Sequence, residues 1–434
     1  MKKLNREIGI PGSIIIGLGS IIGTGIFVSL GMAIDLSGHG VIISILLAGS
    51  VALCNALNSA QLAANHPQSG GTYEYGYIYL SPRWGFTAGW MFLWAKSASA
   101  ATAALGFSGY VTEWLNLDSE PIRISIAILA AGIITVVILG GLQKSHKTNV
   151  IIVCVSLCAL FGLMLAGLPS VLETKKHVWI NTIQHTTGSS VLHAAALMFV
   201  AFTGYGRIAT LGEEVKNPKS TIPISIVLTL LFITLIYLGV AVASLSAGSP
   251  EHVSIAGKTK GVYLEQVAHL FQIPGLVPLI NIGAMMAMLG VLLNLNLGLS
   301  RVWLAMGRRK DMPSCVGFVS KAGTAPYIAI AMTGLIVILF VLVGNIHVTW
   351  SFSAFAVLIY YSITNLTALK ITDQDRLFPK WTAYIGLASC IFLAFWVDPL
   401  ISVLGLVLIG AGCAWQSVAA ILAKRRLKEP PSIQ

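Results

Sequence analysis

Charged residues are scarce in this 434-residue sequence: Asp, Glu, Lys and Arg make up 10% of it, against 56% hydrophobic residues, and the mean hydropathy is +0.83. Water-soluble domains carry about 25% charged residues, so a cytosolic enzyme and a disordered regulator are both excluded. Cysteine is sparse too. Cys54, Cys154, Cys158, Cys315, Cys390 and Cys413 mostly sit inside apolar stretches with no CxxC pair, which excludes a disulfide scaffold or zinc site and makes them small buried hydrophobes. No cleavable signal peptide is visible, because the basic start (Lys2, Lys3, Arg6) runs directly into a full-length apolar segment. HExxH, a phosphate loop and any nucleophile–base arrangement are missing, and His66 and His146 lack metal-site spacing. Neither catalytic nor metal-ligating residues are expected, and a membrane-embedded enzyme is a distant reading. All 16 acidic residues fall at segment ends or in loops, Glu265 and Glu113 among them. A polyamine or other dication would find no buried carboxylate, and a carboxylate proton relay is not expected.

What the sequence has instead is apolar runs. They recur at about 10–33, 40–64, 86–112, 122–142, 148–168, 190–212, 222–246, 276–305, 326–344, 349–369, 382–397 and 399–422. A bilayer crossing takes about 20 apolar residues, so the expected fold is an all-α polytopic membrane protein with 12 transmembrane helices. Twenty of the 27 Lys and Arg residues fall on the amino-terminal side and five on the opposite side, with Lys96 and Arg207 lying deep within runs. Positive residues gather on the cytoplasmic side, which places both termini in the cytoplasm and the chain in the plasma (inner) membrane. The net charge of +11 is then a topology signal and implies no nucleic acid. The longest outward connection, about 247–275, contains an amphipathic stretch around Tyr263–Phe271 and reads as an external cap or lid. The tail 424–434, with Pro430 and Pro431, reads as disordered.

Two runs are interrupted by glycine. The first holds Gly17-Leu-Gly-Ser-Ile-Ile-Gly-Thr-Gly25 and the sixth holds Phe202-Thr-Gly-Tyr-Gly-Arg207. Gly19 and Gly23 alone would equally suit a small-residue packing face. Two broken spans, each opening one half of a ten-helix core, instead point to a midplane site of an inverted-repeat transporter. An outer half-helix beginning near Gly23–Gly25 presents unpaired N–H groups and a positive dipole end to an anion, and Thr24 adds a hydroxyl. Carbonyls freed near Ser20, Ile21 and Ile22, and near Val200, Ala201, Phe202 and Thr203, suit an ammonium group. A zwitterionic α-amino acid would satisfy both sets. Small residues at the second break (Ala201, Thr203, Gly204) leave room for a side chain, and Phe202 and Tyr205 supply apolar walls.

These motifs resemble a known family. Gly19-Ser-Ile-Ile-Gly-Thr-Gly-Ile-Phe27 is similar to the first-helix motif of the amino acid–polyamine–organocation (APC) transporters. Pro67-Gln-Ser-Gly-Gly-Thr-Tyr-Glu-Tyr75 with Gly85-Phe-Thr-Ala-Gly-Trp90 resembles their first cytoplasmic loop and third-helix entry. Phe199-Val-Ala-Phe-Thr-Gly-Tyr-Gly206, with Glu213-Glu-Val-Lys-Asn-Pro-Lys219 and Ile222-Pro223, resembles their sixth helix and its exit, and Ser300-Arg-Val-Trp-Leu-Ala-Met306 with Met312-Pro313 the end of the eighth. The resemblance implies a LeuT-like five-plus-five inverted repeat with discontinuous helices 1 and 6, plus helices 11 and 12. The divisions are then 1–9 (N-terminus), 10–169 (first repeat), 188–370 (second repeat), 380–423 and 424–434. It also implies coupled amino-acid transport by alternating access, with no resident cofactor and with a proton or sodium as possible coupling ion.

Two features depart from the family's pattern. The lysine that its proton-coupled members carry in helix five corresponds to Ser156, which leaves lysine-based coupling in doubt and offers at most a hydroxyl for sodium. Two cations lie inside runs instead, each costing at least ~2.5–3.5 kcal/mol at mid-membrane unless partnered. Lys96 sits on the helix whose family counterpart lines the substrate cavity and reads as a substrate-facing or coupling lysine, the alternative being a structural one bonded to helix-end carbonyls. Arg207 begins the inner half of helix six and reads as a cytoplasmic gate or a partner of Glu213 and Glu214, the alternative being a ligand for an acidic substrate. Asn55, Asn58, Gln61, Asn294 and Asn296 read as cross-helix hydrogen-bonding residues. Trp94, Tyr360 and Tyr361 read as outer-gate aromatics or plain core. The expected function is a secondary active transporter, symporter or exchanger, of small neutral amino acids. The alternatives are a non-transporting amino-acid sensor and a transporter of acidic amino acids; a channel is poorly motivated. Oligomeric state is left open.

Overall fold

The computed structural model describes residues 8–66, 70–140, 146–173, 186–209, 215–248, 260–319 and 326–426. Among the described residues the chain is helical, with one isolated parallel bridge between Ile8 and Val215. The first apolar run is split into α1 (Ile10–Ile21), a π-helical turn (Gly25–Ser29) and α2 (Leu30–Ser37). There follow α3 (Val41–Asn65), a short α4 (Thr72–Tyr79), α5 (Pro82–Trp114), α6 (Glu120–Leu139) and α7 (His146–Glu173). The sixth run is split into α8 (Gly188–Phe202), a 3₁₀ turn (Thr203–Tyr205) and α9 (Gly206–Ala209). Then come α10 (Pro218–Ser246), α11 (Tyr263–Leu270), α12 (Leu276–Arg308), α13 (Tyr327–Val341), α14 (Ile346–Leu369), α15 (Lys380–Ala394) and α16 (Pro399–Arg426).

A helix occupies each of the twelve expected runs, but among the described residues eight helical stretches are long and apolar enough to cross a bilayer by length and composition. The difference has three sources. Ile10–Ile21, Tyr327–Val341 and Lys380–Ala394 are short, the far half of the first run is continuous with α3 in Gly25–Asn65, and α5 is diluted by its Ala, Ser, Thr and Gly. The starts follow local chemistry. Proline stands in the first turn of α1, α5, α6 and α10, where its missing N–H costs nothing and its φ is already helical. Asn345 caps α14 by accepting from the Val348 N–H at 3.1 Å. Past the other end of the chain's last helix, α16 runs to Arg426, three residues into the segment expected to be disordered.

The helices form a centre and a periphery. In α14 83% of the most apolar window is buried inside the protein, against 17% in α16. Peripheral helices present Leu165, Leu172, Phe392, Leu404 and Val407 outward, an apolar surface suited to hydrocarbon rather than water. Connections group on two faces. On the basic face, Lys216 N–H donates to the Ile8 carbonyl at 2.9 Å, Arg309 pairs with Glu74, and Asn65 donates to the Asp375 carbonyl at 2.9 Å. On the far face, Arg123 donates to the Gly344 carbonyl at 2.8 Å and Lys260 pairs with Glu113 and Asp118. The amphipathic stretch expected as a cap is α11, and it lies on that far face against α12 and the π turn.

Candidate functional site

The first break begins where α1 stops. The Ile22 N–H still donates to the Leu18 carbonyl at 2.8 Å, but Ile22 itself turns to an extended ψ of 111°. Hydrogen bonding resumes when Ile26 and Phe27 N–H both donate to the Gly23 carbonyl, at 3.1 and 3.0 Å. The amides of Gly23, Thr24 and Gly25 therefore open the far half with no acceptor among the described residues. Beside them the Thr24 hydroxyl is 2% exposed and has no partner. A buried hydroxyl and three buried amides left unpaired are costly, and an anionic oxygen relieves them all.

The second break is narrower. Thr203 N–H and Thr203 Oγ1 both turn back to the Val200 carbonyl, the hydroxyl at 2.7 Å. That folds the end of α8 into a 3₁₀ turn before α9 restarts at Gly206.

The two breaks are in mutual contact. A Cβ added at Gly204 would lie 2.4 Å from the Ser20 carbonyl oxygen, and one added at Gly25 would lie 2.7 Å from Ala201 Cβ and 2.9 Å from Ala201 Cα. Only glycine allows backbone to approach backbone this closely. The packing reading of the first-run glycines holds beside the functional one: Gly19 fits against Asn149 of α7 and Gly23 against Val291 of α12.

Around this junction the structure gathers side chains from three further helices. Lys96 of α5 is buried and donates from Nζ to Thr203 Oγ1 at 2.9 Å. That hydroxyl in turn donates to the Val200 carbonyl, so the lysine and the end of α8 share one hydrogen-bonded chain. Among the described residues no carboxylate lies within ion-pair reach of Lys96. Tyr237 of α10 is fully buried, with its hydroxyl 3.1 Å from the Ala201 carbonyl and 3.4 Å from the Ile21 carbonyl. It is a bridge between the two broken helices, and sequence reasoning missed it. The signal was there, since one phenol inside Leu-Phe-Ile-Thr-Leu-Ile-Tyr-Leu-Gly needs a polar partner. Tyr361 of α14 reaches the Thr203 carbonyl at 3.4 Å and packs its ring on Tyr205. Phe202 packs on Tyr237. Ser20, Ile21, Ile22, Gly23, Thr24, Gly25, Lys96, Val200, Ala201, Phe202, Thr203, Gly204 and Tyr205 all belong to this junction or its immediate wall.

Other expected positions lie elsewhere. Ser156 donates to the Ile152 carbonyl at 2.8 Å and approaches the Gly283 carbonyl of α12 at 3.3 Å, so its hydroxyl joins α7 to α12 rather than bonding to either break. Arg207 is half-buried on α9, and Glu213 and Glu214 lie outside the described residues. Tyr360 accepts the Thr72 N–H at 3.3 Å and thus faces α4 on the basic side. Trp94 stacks edgewise on Trp90 and Phe340. Asn58 bonds to Asn365 across helices at 2.8 Å and Asn294 to the Gly19 carbonyl at 3.2 Å. Asn296 departs from the expected pattern, being buried with neither amide atom partnered.

The junction thus offers amide and hydroxyl donors on one side and carbonyl acceptors on the other. Each carbonyl has two lone pairs, so those holding a tyrosine keep capacity for an ammonium group. Among the described residues no cluster of His, Cys, Asp and Glu could hold a metal ion.

Comparison with known proteins places the chain among transporters. The chain is 37% identical to an uncharacterized transporter of Mycobacterium tuberculosis over 424 residues, covering 98% of this chain and 93% of that protein. It is 30% identical to the branched-chain amino acid permease BcaP of Bacillus subtilis, covering 76% of this chain and 72% of the permease. It is 26% identical to the serine/threonine exchanger SteT of the same organism, covering 82% and 81%. The family model described as amino acid permease matches residues 12–423, both broken helices included, and the chain belongs to that family, within the APC transporters.

Proposed function

We propose that this protein is a secondary active transporter, symporter or exchanger, of small neutral amino acids, working by alternating access around the two breaks. In this reading twelve helices cross the plasma membrane as a five-plus-five inverted repeat followed by α15 and α16. The basic face, with both termini, is cytoplasmic. The observation that carries the reading is the mutual contact of the breaks beside the unpaired Gly23–Gly25 amides and Thr24 hydroxyl. A carboxylate fits the far half-helix and its dipole, and an ammonium fits the Ile21, Ala201 and Thr203 carbonyls. The close approach at Gly25 and Gly204 favours a small side chain. Relatives named for branched-chain amino acids and for serine and threonine support a neutral substrate. Lys96 beside the site disfavours a cationic one.

One specific observation favours a second reading. Among the described residues Lys96 has no carboxylate to neutralise it, and a substrate side-chain carboxylate would do so. The two separate in proteoliposomes loaded with each of the twenty amino acids and assayed for exchange of the same labelled compound. Uptake of Ala, Ser, Thr or Val supports the neutral reading. Uptake confined to Asp and Glu replaces it with the acidic one. Tight binding in a thermal-shift panel, where ligand at 100 times its Kd stabilises by about 2.7 kcal/mol, without any flux would make the protein a sensor.

A further inference from the structure

Helix α11 crosses the far face over the first broken helix. Tyr263 packs on Gly31 of α2, where an added Cβ would sit 2.5 Å from Tyr263 Cβ. Leu264, Val267 and Ala268 are buried. Among these apolar residues is Glu265, only 3% exposed.

Its hydrogen bonding is one donor short. Glu265 Oε1 accepts from Asn281 Nδ2 of α12 at 2.8 Å, while Glu265 Oε2 and Asn281 Oδ1 are both buried without a partner. Two orphan acceptors on one bonded pair are what an ionised carboxylate leaves, and a proton on Oε2 turns one of them into a donor. The cation that acts on it among the described residues is engaged elsewhere: Lys260 holds Glu113 at 3.0 Å and Asp118 at 2.7 Å. Among the described residues the groups facing Glu265 are therefore Glu113 and Tyr110 from α5 and Lys260 just before α11, with neutral Asn281 from α12. The π turn contributes only Gly, Ile, Phe, Val and Ser. Asp35 of α2 and His347 of α14 line the side of the cap where Tyr263 sits.

We propose that Glu265 is a proton-binding site in the cap, and that proton uptake from the extracellular side seals α11 against α5, α12 and the far half of the first broken helix. Burial pushes this carboxyl up from the ordinary 4.5 to about 7, with the Asn281 bond opposing, Glu113 adding and Lys260 opposing. Between those two values the docked cap keeps a proton that an undocked, solvated glutamate has lost. Docking is thus favoured on the acid side, weakens as pH rises from about 4.5 to about 7, and levels off above that. Deprotonation leaves a buried charge beside Glu113 with no free cation among the described residues, and undocking α11 hydrates it. Tyr110 extends the contact inward, donating to the Phe27 carbonyl of the π turn at 3.2 Å. The binding step stands apart from the substrate, and only its consequence for flux rests on the transport reading.

The test uses the full-length protein in nanodiscs from pH 5.5 to 8.5, followed by infrared difference spectroscopy and by hydrogen exchange corrected for intrinsic rate. A protonated-carboxyl band should titrate near pH 7 and be missing in Glu265→Gln. Exchange in 260–271 should rise with pH by up to about tenfold per unit below the midpoint near 7, level off above it, and stay low and flat in Glu265→Gln. Asn281→Asp, which keeps Glu265 and places a second carboxylate beside it, should move the midpoint up. A band unchanged in Glu265→Gln, exchange rising equally in that variant, or a midpoint unmoved by Asn281→Asp each overturns the proposal. If these results hold while no amino acid crosses proteoliposomes, it is the transport reading that fails.

Discussion

The two halves of the broken helices are closed by different physics. Towards the far face, residues 21–34 are buried without interruption, and Ile26, Phe27, Leu30, Ala33 and Ile34 have no exposed surface. Apolar packing dominates there, with the cap laid over it. Towards the basic face, Ile14, Ile15, Ile16 and Ser20 are partly exposed, as are Gly204, Gly206 and Arg207 on the other strand of the junction. That side is tied by discrete polar bonds: Ile8 to Lys216, Asn149 to the Ile15 carbonyl, Asn294 to the Gly19 carbonyl. Apolar burial is non-directional and scales with area, so the far side resists opening until a large surface is parted. Point contacts on the basic side exchange with water at a net cost of only about 1 kcal/mol each. The structure is accordingly shut on the far side and partly accessible from the basic side.

The sharpest way to break this comparison is to add volume where the halves meet. In Gly25→Val the new side chain would press on the Cα and Cβ of Ala201 and on the Tyr237 hydroxyl, and backbone cannot rotate aside. Overpacking a tight core costs about 1–3 kcal/mol, so the variant should remain folded by size-exclusion chromatography while losing essentially all uptake. Gly298→Ala is the matched control, because a Cβ there meets nothing within 4 Å. It should leave uptake intact and gain up to about 0.5–1 kcal/mol from helix propensity. Uptake surviving in Gly25→Val would separate the junction from transport.

Next in size is the chain from Lys96 to Val200. Removing the ammonium in Lys96→Met or the hydroxyl in Thr203→Val takes out one link of the same bonded chain. A hydrogen bond to a charged group contributes about 1.5–3 kcal/mol, so each variant should lose roughly ten- to a hundredfold in uptake efficiency. The double variant should be scarcely worse than either single one, because contacting residues do not act additively. Full additivity would mean that the two residues act separately. Unchanged rate and pH dependence in Lys96→Met would reduce the lysine to scaffolding. A smaller effect is expected at Tyr237→Phe, which deletes one neutral donor shared by two carbonyls. About 1 kcal/mol, or roughly fivefold in substrate affinity, is the expected loss by thermal shift.

The sequence made some of this legible and hid the rest for identifiable reasons. Both interruptions were readable because glycine pairs in an apolar run have few other uses, and the residues flanking them, Ser20–Gly25 and Val200–Tyr205, are those that meet. The helix in each apolar run was readable from length. Which runs exceed a bilayer's need was not, because tertiary packing shortens α1, α13 and α15 and fuses the far half of the first run to α3. Tyr237, Tyr361 and Thr203 as a bonding partner of Lys96 depend on long-range contacts that no local pattern encodes. Glu265 was misjudged for a related reason. Charge in a loop reads as solvated, and only the fold of α11 back onto α12 buries it.

The smallest effect should come from the latch that closes the basic face. Helix α4 meets the end of α12 there: Tyr73 and Tyr77 hydroxyls both donate to Asp311 Oδ2 at 2.6 Å, Arg309 pairs with Glu74, and its guanidinium lies 4.4 Å from the Tyr77 ring centre. Burial, with the bonds to Asp311 adding, pushes both phenols up, so they stay protonated donors at any physiological pH. Because the two phenols share one carboxylate oxygen, Tyr77→Phe leaves Asp311 still held by Tyr73. The net loss should stay near 0.5–1 kcal/mol, a shift of a few-fold toward the state open on the basic face. Asp311→Asn weakens both bonds together and should shift it further. A cysteine placed at Gly298, which is partly exposed with space around it, reports the shift as faster labelling by a membrane-impermeant maleimide applied from that face. Equal labelling in wild type, Tyr77→Phe and Asp311→Asn would show that the polar ties of α4 play no part in holding that side, and that the asymmetry between the two halves rests on the far side's apolar packing alone.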